Sequence, residues 1–174
     1  MPAFPRDYRF LAVGVVMLVA CRSESPAPTV NLVGFGPIRF GMKIEDAQQA
    51  LGVRLEKTNA YDDEGCLYYV PQGTLPGLWF MTSNGVVVRL DVEDTQEIRT
   101  DKGAKIGDRE ARVLNLYAGR IEVRPQRYNG PDGHSLVVKS ADSKAQLVFE
   151  TDGMKVLNYR AGVEPQVHYV EGCS

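Results

Sequence analysis

The sequence predicts an α+β fold made of two tandem helix-plus-antiparallel-meander repeats packed as one unit. Three observations predict it: a motif recurring at a spacing of 62 residues (Gly41 to Gly103), a short amphipathic helix after each copy, and a run of strand signals after each helix. A period of this length is too long for a solenoid repeat and suits a duplicated module.

The first copy reads Ile38-Arg39-Phe40-Gly41-Met42-Lys43-Ile44-Glu45, and the second Ile98-Arg99 followed by Gly103-Ala104-Lys105-Ile106-Gly107-Asp108. Each has Ile-Arg, then Gly-x-Lys-Ile, then an acidic residue. Ile44, Ala47, Ala50 and Leu51 recur on one helical face, and Gly52 is placed to end that helix. In the second copy Asp108 is the expected N-cap, with Ala111, Val113, Leu114 and Tyr117 behind it and Gly119 beyond. Strand signals follow at 53–57, 66–70, 78–82 and 86–92, with Ser83-Asn84-Gly85 as a hairpin turn. In the second half they fall at 120–125, 135–140, 145–151 and 155–161, with Asp152-Gly153 as the matching turn. A short strand at 167–170 is expected to close the chain. Val86, Val88, Leu90 and Val92 alternate, which predicts one shared core face in an antiparallel sheet.

The N-terminus carries different information. Arg6 and Arg9 precede ten apolar residues, 10–19, and then small Ala20 and Cys21. The run is too short for a bilayer core that needs about 20 apolar residues, and its layout is that of a secretory signal. Ending on Leu18-Val19-Ala20-Cys21, it resembles the lipobox of bacterial lipoproteins, which implies acylation of Cys21 and cleavage before it. Residues 1–20 are then the signal peptide and 21–30 a lipidated tether, polar and proline-containing. Residues 31–95 and 96–174 are the two expected repeats. Arg22 after the cysteine is similar to lipoproteins sorted to the outer membrane, facing the periplasm. That implies a membrane partner through the lipid anchor.

Cleavage leaves 154 residues, the size of one domain, and changes the net charge from −2 to −3. The mild acidity argues against nucleic acid as a partner, which would call for a clustered basic face. With Cys21 acylated, Cys66 and Cys173 are the remaining pair, expected to form a disulfide in an oxidising compartment. A metal site of Cys66, Cys173, His134 and His168 has no supporting ligand spacing.

The unit Gly41-Met42-Lys43-Ile44-Glu45-Asp46-Ala47-Gln48-Gln49-Ala50-Leu51-Gly52 with its following meander resembles the repeat of the beta-lactamase inhibitory protein family. It is also similar to the small lipoproteins of the outer-membrane assembly machine. The Val170-Glu171-Gly172-Cys173 tail is similar to that of a further group of bacterial lipoproteins. The likeness covers residues 35–174 in outline and implies a protein-binding role, either inhibitor or assembly partner. No functional residue is carried over from either family.

No catalytic signature is present. Gly133-His134-Ser135 lacks the Gly-x-Ser-x-Gly elbow, and no glycine-rich phosphate loop precedes a helix. His134 reads as a solvated loop histidine and His168 as half-buried in the last strand. Asp62-Asp63-Glu64 lacks EF-hand spacing and reads as a solvated loop. No cofactor and no metal are expected. Aromatic residues are the stronger signal: Tyr61, Tyr68, Tyr69, Trp79 and Phe80, then Tyr117, Tyr128, Tyr159 and Tyr169. Adjacent strand residues point to opposite faces, so Tyr68-Tyr69 and Trp79-Phe80 each send one ring outward. The candidate binding face is therefore Tyr68, Tyr69, Trp79, Phe80 and Arg89, with Arg120, Arg124 and Arg160 as further donors. The expected partner is an envelope protein. The alternative is a carbohydrate or peptidoglycan stacked on the rings.

Overall fold

A computed structural model describes residues 27–63, 65–126, 128–142 and 144–173, with side chains at 59–63 left out. The expected signal peptide, residues 1–20, and Cys21 lie outside the described residues, as do the Tyr61 ring and the Asp62-Asp63-Glu64 carboxylates. Three two-residue strands, β1 (Val30–Asn31), β2 (Gly34–Phe35) and β3 (Ile38–Arg39), form a small antiparallel sheet. Helix α1 (Ile44–Leu51) follows, then β4 (Leu55–Asp63), β5 (Cys66–Pro71), β6 (Leu78–Ser83) and β7 (Val86–Val92). Helix α2 (Glu110–Leu116) precedes β8 (Ile121–Pro125), β9 (His134–Lys139), β10 (Ala145–Thr151) and β11 (Val156–Val163), and a 3-10 turn covers Gln166–His168.

The expectation of an α+β fold built as two tandem helix-plus-meander repeats is corrected. The chain is mostly β, because strands β4 to β11 form one antiparallel sheet in the order β4-β5-β6-β7-β11-β10-β9-β8. Pairing of β7 with β11, Leu90 opposite Ala161, fuses the two halves. Periodicity reports the order of elements along a chain but not which strands pair. The helices have only eight and seven residues and act as lids on this sheet.

One face of the sheet builds the core. Tyr69, Phe80, Leu90, Ala161, Leu147, Val138 and Ile121 are successive cross-strand partners, so one apolar row crosses seven strands. Ile44 and Ala47 of α1 and Val113 of α2 pack on this side, together with Val30, Phe35 and Ile38 of the small sheet. Burying such a side chain fully contributes about 1.5–3 kcal/mol. Val30 is fixed in turn by hydrogen bonds of 2.9 Å to Arg99 and from Asp101. Phe149 stacks between Tyr117 and Tyr159 at centroid distances of 5.7 and 5.5 Å. Their hydroxyls donate to Thr100 Oγ1 at 2.8 Å and to the Ile98 carbonyl at 3.0 Å. Burial pushes the Tyr117 hydroxyl up to about 12, against the Thr100 hydrogen bond.

Helix α1 ends at Gly52, whose φ of 69° lets its N–H reach the Gln48 and Gln49 carbonyls. Helix α2 differs from expectation: its N-cap position is Arg109, without a side-chain cap. Asp108 Oδ2 instead accepts from the Lys105 N–H at 3.0 Å and Arg112 Nε at 3.1 Å, so it closes the preceding turn. The alternation expected in β7 is also corrected. Met81 faces Arg89 and Thr82 faces Val87, so Val88 is an extra, bulged residue. Val87, Leu90 and Val92 face the core, while Val88 packs with Tyr68 on the other side. One inserted residue reverses every later side chain.

Candidate functional site

The face of the sheet opposite the core is covered by the C-terminal segment 164–173, which forms a strap. The expected strand at 167–170 is absent, and a 3-10 turn at Gln166–His168 replaces it. The carbonyls a strand would offer to a neighbour are taken by arginine side chains. Arg89 Nη1 donates to the Gln166 and Tyr169 carbonyls at 3.1 and 2.6 Å. Arg160 Nε donates to the Val167 carbonyl at 2.7 Å. Between these contacts Val167 is fully buried against Val137 and Val148. The end of the strap is closed by a Cys66–Cys173 disulfide spanning 107 positions.

Arg89 and Asp91 lie under this strap, each 5% exposed, two positions apart on one face of β7. Arg89 Nε lies 2.9 and 3.0 Å from the two Asp91 oxygens, and Nη2 lies 2.5 Å from Oδ1. Burial pulls the Arg89 guanidinium down, but the Asp91 charge and hydrogen bonds outweigh it and hold it above its ordinary value. Arg160 makes a second shielded pair with Glu150 at 2.9 Å. The neighbour of Arg89 on β11 is Gly162, and a Cβ there would lie 2.8 Å from the Val88 carbonyl and 3.0 Å from Arg89 Cβ. Glycine at 162 therefore leaves the backbone of β7 room beside β11.

The five residues of the predicted binding face divide between the two sides. Tyr69 and Phe80 point into the core, and Phe80 is fully buried, so neither belongs to an outer surface. Tyr68, Trp79 and Arg89 share the strap side with Met81 and Cys173. Tyr68 and Trp79 meet edge to face at 6.2 Å. Burial beside Asp91 pushes the Tyr68 hydroxyl up. Arg89 and Arg160 use their donors to hold the strap, while Arg124 pairs with Glu122 at 2.9 Å and Arg120 donates to the Lys139 carbonyl at 3.1 Å. Tyr128 is 83% exposed.

Two grooves flank the strap. The first, about 290 Å³, is lined by Tyr68, Trp79, Arg89, Asp91, Glu93 and residues 170–172. The second, about 440 Å³, runs past Arg124, Tyr128, Ser135, Glu150, Arg160 and His168. Val170 lines both and is 65% exposed, next to Tyr169 at 42%. The strap is thus a ridge with an apolar crest between two channels. Sequence reading missed the ridge because its anchors come from five strands, β5, β7, β9, β10 and β11. The only available signal was Cys173 at the end of the tail.

His134 is not a loop residue. It opens β9, and its Nδ1 lies 3.1 Å from both Glu110 oxygens. Thr151 donates to the same carboxylate, so the cluster ties the start of α2 to β9 and β10, and it lines neither groove. His168 sits in the 3-10 turn 3.4 Å from Glu164. Among the described residues no three His, Cys, Asp or Glu side chains are grouped as metal ligands, and no helix is long and apolar enough to cross a membrane.

No family model and no curated protein matches the chain. Among solved structures, an extracellular protein containing a SCP domain from Bacillus anthracis str. Ames is similar at 13% identity with a TM-score of 0.49. The alignment covers 86% of this chain and 50% of that one, so this chain spans half the length of the protein it resembles.

Proposed function

We propose that the protein is a lipid-anchored, non-enzymatic module of the bacterial envelope that binds another protein through its strap face. The observation carrying this reading is the ridge itself: Tyr169 and Val170 are presented to solvent on a segment fixed by two arginines, a buried valine and a disulfide. A contact segment ordered in advance loses little conformational entropy on binding, which favours recognition. The disulfide suits an oxidising compartment, and the basic, apolar and Ala20-Cys21 sequence supports export and acylation at Cys21. Outer-membrane attachment facing the periplasm is the expected address.

The test uses the full chain anchored through Cys21 to recover partners from solubilised envelope. The expected result is one reproducible protein, lost when Tyr169→Ser and Val170→Asp are combined in a protein with unchanged circular dichroism. Recovery of glycan fragments alone would replace this reading with the carbohydrate one. That alternative is less well supported, because in the first groove the Tyr68 ring is buried and the Trp79 ring is half-buried. Cys21→Ser is expected to move the protein to the soluble fraction.

A further inference from the structure

Beside the second groove Arg124 pairs with Glu122 and Arg160 with Glu150, whereas the first groove carries a carboxylate without such a partner. Arg89 is consumed by Asp91 below and by the strap carbonyls, so it offers no free positive charge to the groove. Glu93 stands at the rim with an exposed side chain, and among the described residues its carboxylate makes neither an ion pair nor a hydrogen bond. Partial burial, then Asp91 and Asp94, push Glu93 up, against the pull of Arg89 and Arg160. Trp79 supplies a half-buried ring on the same wall, and an indole attracts a cation more strongly than the other aromatic rings do. The strap closes the opposite wall through Val170 and Gly172, with Gly172 at φ 70° where a Cβ would meet the Tyr68 hydroxyl at 2.9 Å. A volume of about 290 Å³ admits a long side chain but not a folded element.

We propose that this groove takes a lysine or arginine side chain of the protein partner, with Glu93 pairing its charge and Trp79 packing against its stem. The inference rests on the protein-binding reading and adds the chemistry of the contact. An aliphatic stem ending in a cation fits a channel with one aromatic wall and a carboxylate rim. An acidic residue of the partner is repelled, and a neutral one leaves Glu93 unpaired.

Trp79 is the only tryptophan in the chain, so its fluorescence reports this groove directly. Capped pentalysine is titrated against the disulfide-intact protein, with capped pentaglutamine and pentaglutamate as controls. A saturable change with pentalysine alone is expected, weakened by about fivefold in Glu93→Gln and left as it was in Glu97→Gln. Equal binding by Glu93→Gln, or an equal response to pentaglutamine, overturns the proposal. A response to chito-oligosaccharide without one to pentalysine overturns it in favour of a sugar. The envelope recovery separates the two levels. Undiminished capture of the partner by Glu93→Gln refutes the groove assignment while leaving protein binding intact. Pentalysine binding with no protein ever recovered refutes the protein-binding role instead.

Discussion

On its core side the large sheet is covered by aliphatic and aromatic residues of two helices and a small sheet; on its other side ten residues of irregular chain lie over it. The first cover is held by burial, because Phe80, Leu90, Leu147 and Val138 lose nearly all their water contact. The second is held by charged donors, Arg89 and Arg160, which satisfy carbonyls that no strand pairs. Burial is non-directional and tolerates many arrangements of the covering elements. A guanidinium fork fixes where particular carbonyls must lie. The core face thus accounts for stability and the strap face for the placement of a surface.

The largest test of this contrast uses two adjacent residues on opposite faces. Phe80→Ala, which hollows the core, is expected to cost about 4 kcal/mol of global stability in urea denaturation followed by circular dichroism. Trp79→Ala, one position away on the strap side, is expected to cost less than half as much. Equal losses would break the distinction between the faces.

The next effect comes from the shielded ion pair. Arg89→Met leaves Asp91 unpaired under the strap and is expected to cost about 3 kcal/mol. Combining it with Asp91→Leu is expected to recover most of that loss, because two apolar residues need no compensation. Amide exchange should still rise at Gln166 and Tyr169 in the double variant, whose carbonyls have lost their donor. If the double variant regains stability and keeps strap protection, the arginine does not place the strap.

A smaller loss is expected from removing the bridge. Replacing Cys66 and Cys173 together by Ser is expected to cost about 2–3 kcal/mol, below the loop-entropy value of about 4.7 kcal/mol for a closure of this order. The arginines and Val167 still constrain the strap in the native state, so faster exchange should be confined to 169–173. Uniformly faster exchange across the sheet would show that the bridge supports the core as well.

How much of this was legible in the sequence depends on the range of the interaction. Turns and helix ends were readable because their causes are local: Asn84 and Gly85 both have positive φ, as a tight hairpin needs, and Gly52 ends α1. The disulfide followed from setting Cys21 aside. The split of Trp79 from Phe80 followed from strand geometry, but the side facing the core did not, since that is decided by helices and by β7 pairing with β11. The Val88 bulge was hidden because a run of four valines and leucines alternates equally well before the slip. Arg89 and Arg160 were read as surface donors, yet their acceptors lie on a tail up to 80 positions away. No local pattern marks a buried arginine as a fastener.

The smallest expected effect belongs to a third kind of region, the solvent-facing strand β8 at the end of the sheet. There Glu122 accepts from Arg124 at 2.9 and 3.0 Å and lies 3.4 Å from Lys139 Nζ. The Arg124 hydrogen bonds, with help from Lys139, hold its carboxyl down to about 2, from an ordinary 4.5. A carboxyl held down in the folded chain stabilises it above the unfolded value, and that contribution fades as pH falls from about 4.5 towards 2. Thermal melts of Glu122→Gln and the parent should therefore differ slightly at pH 6 and converge by pH 2. Because Glu122 is exposed, 1 M salt should erase most of the difference at pH 6. The same salt should leave the Arg89–Asp91 pair largely intact, since it is shielded by the strap. If salt weakened both pairs alike, the strap would not be excluding water from the arginines that hold it.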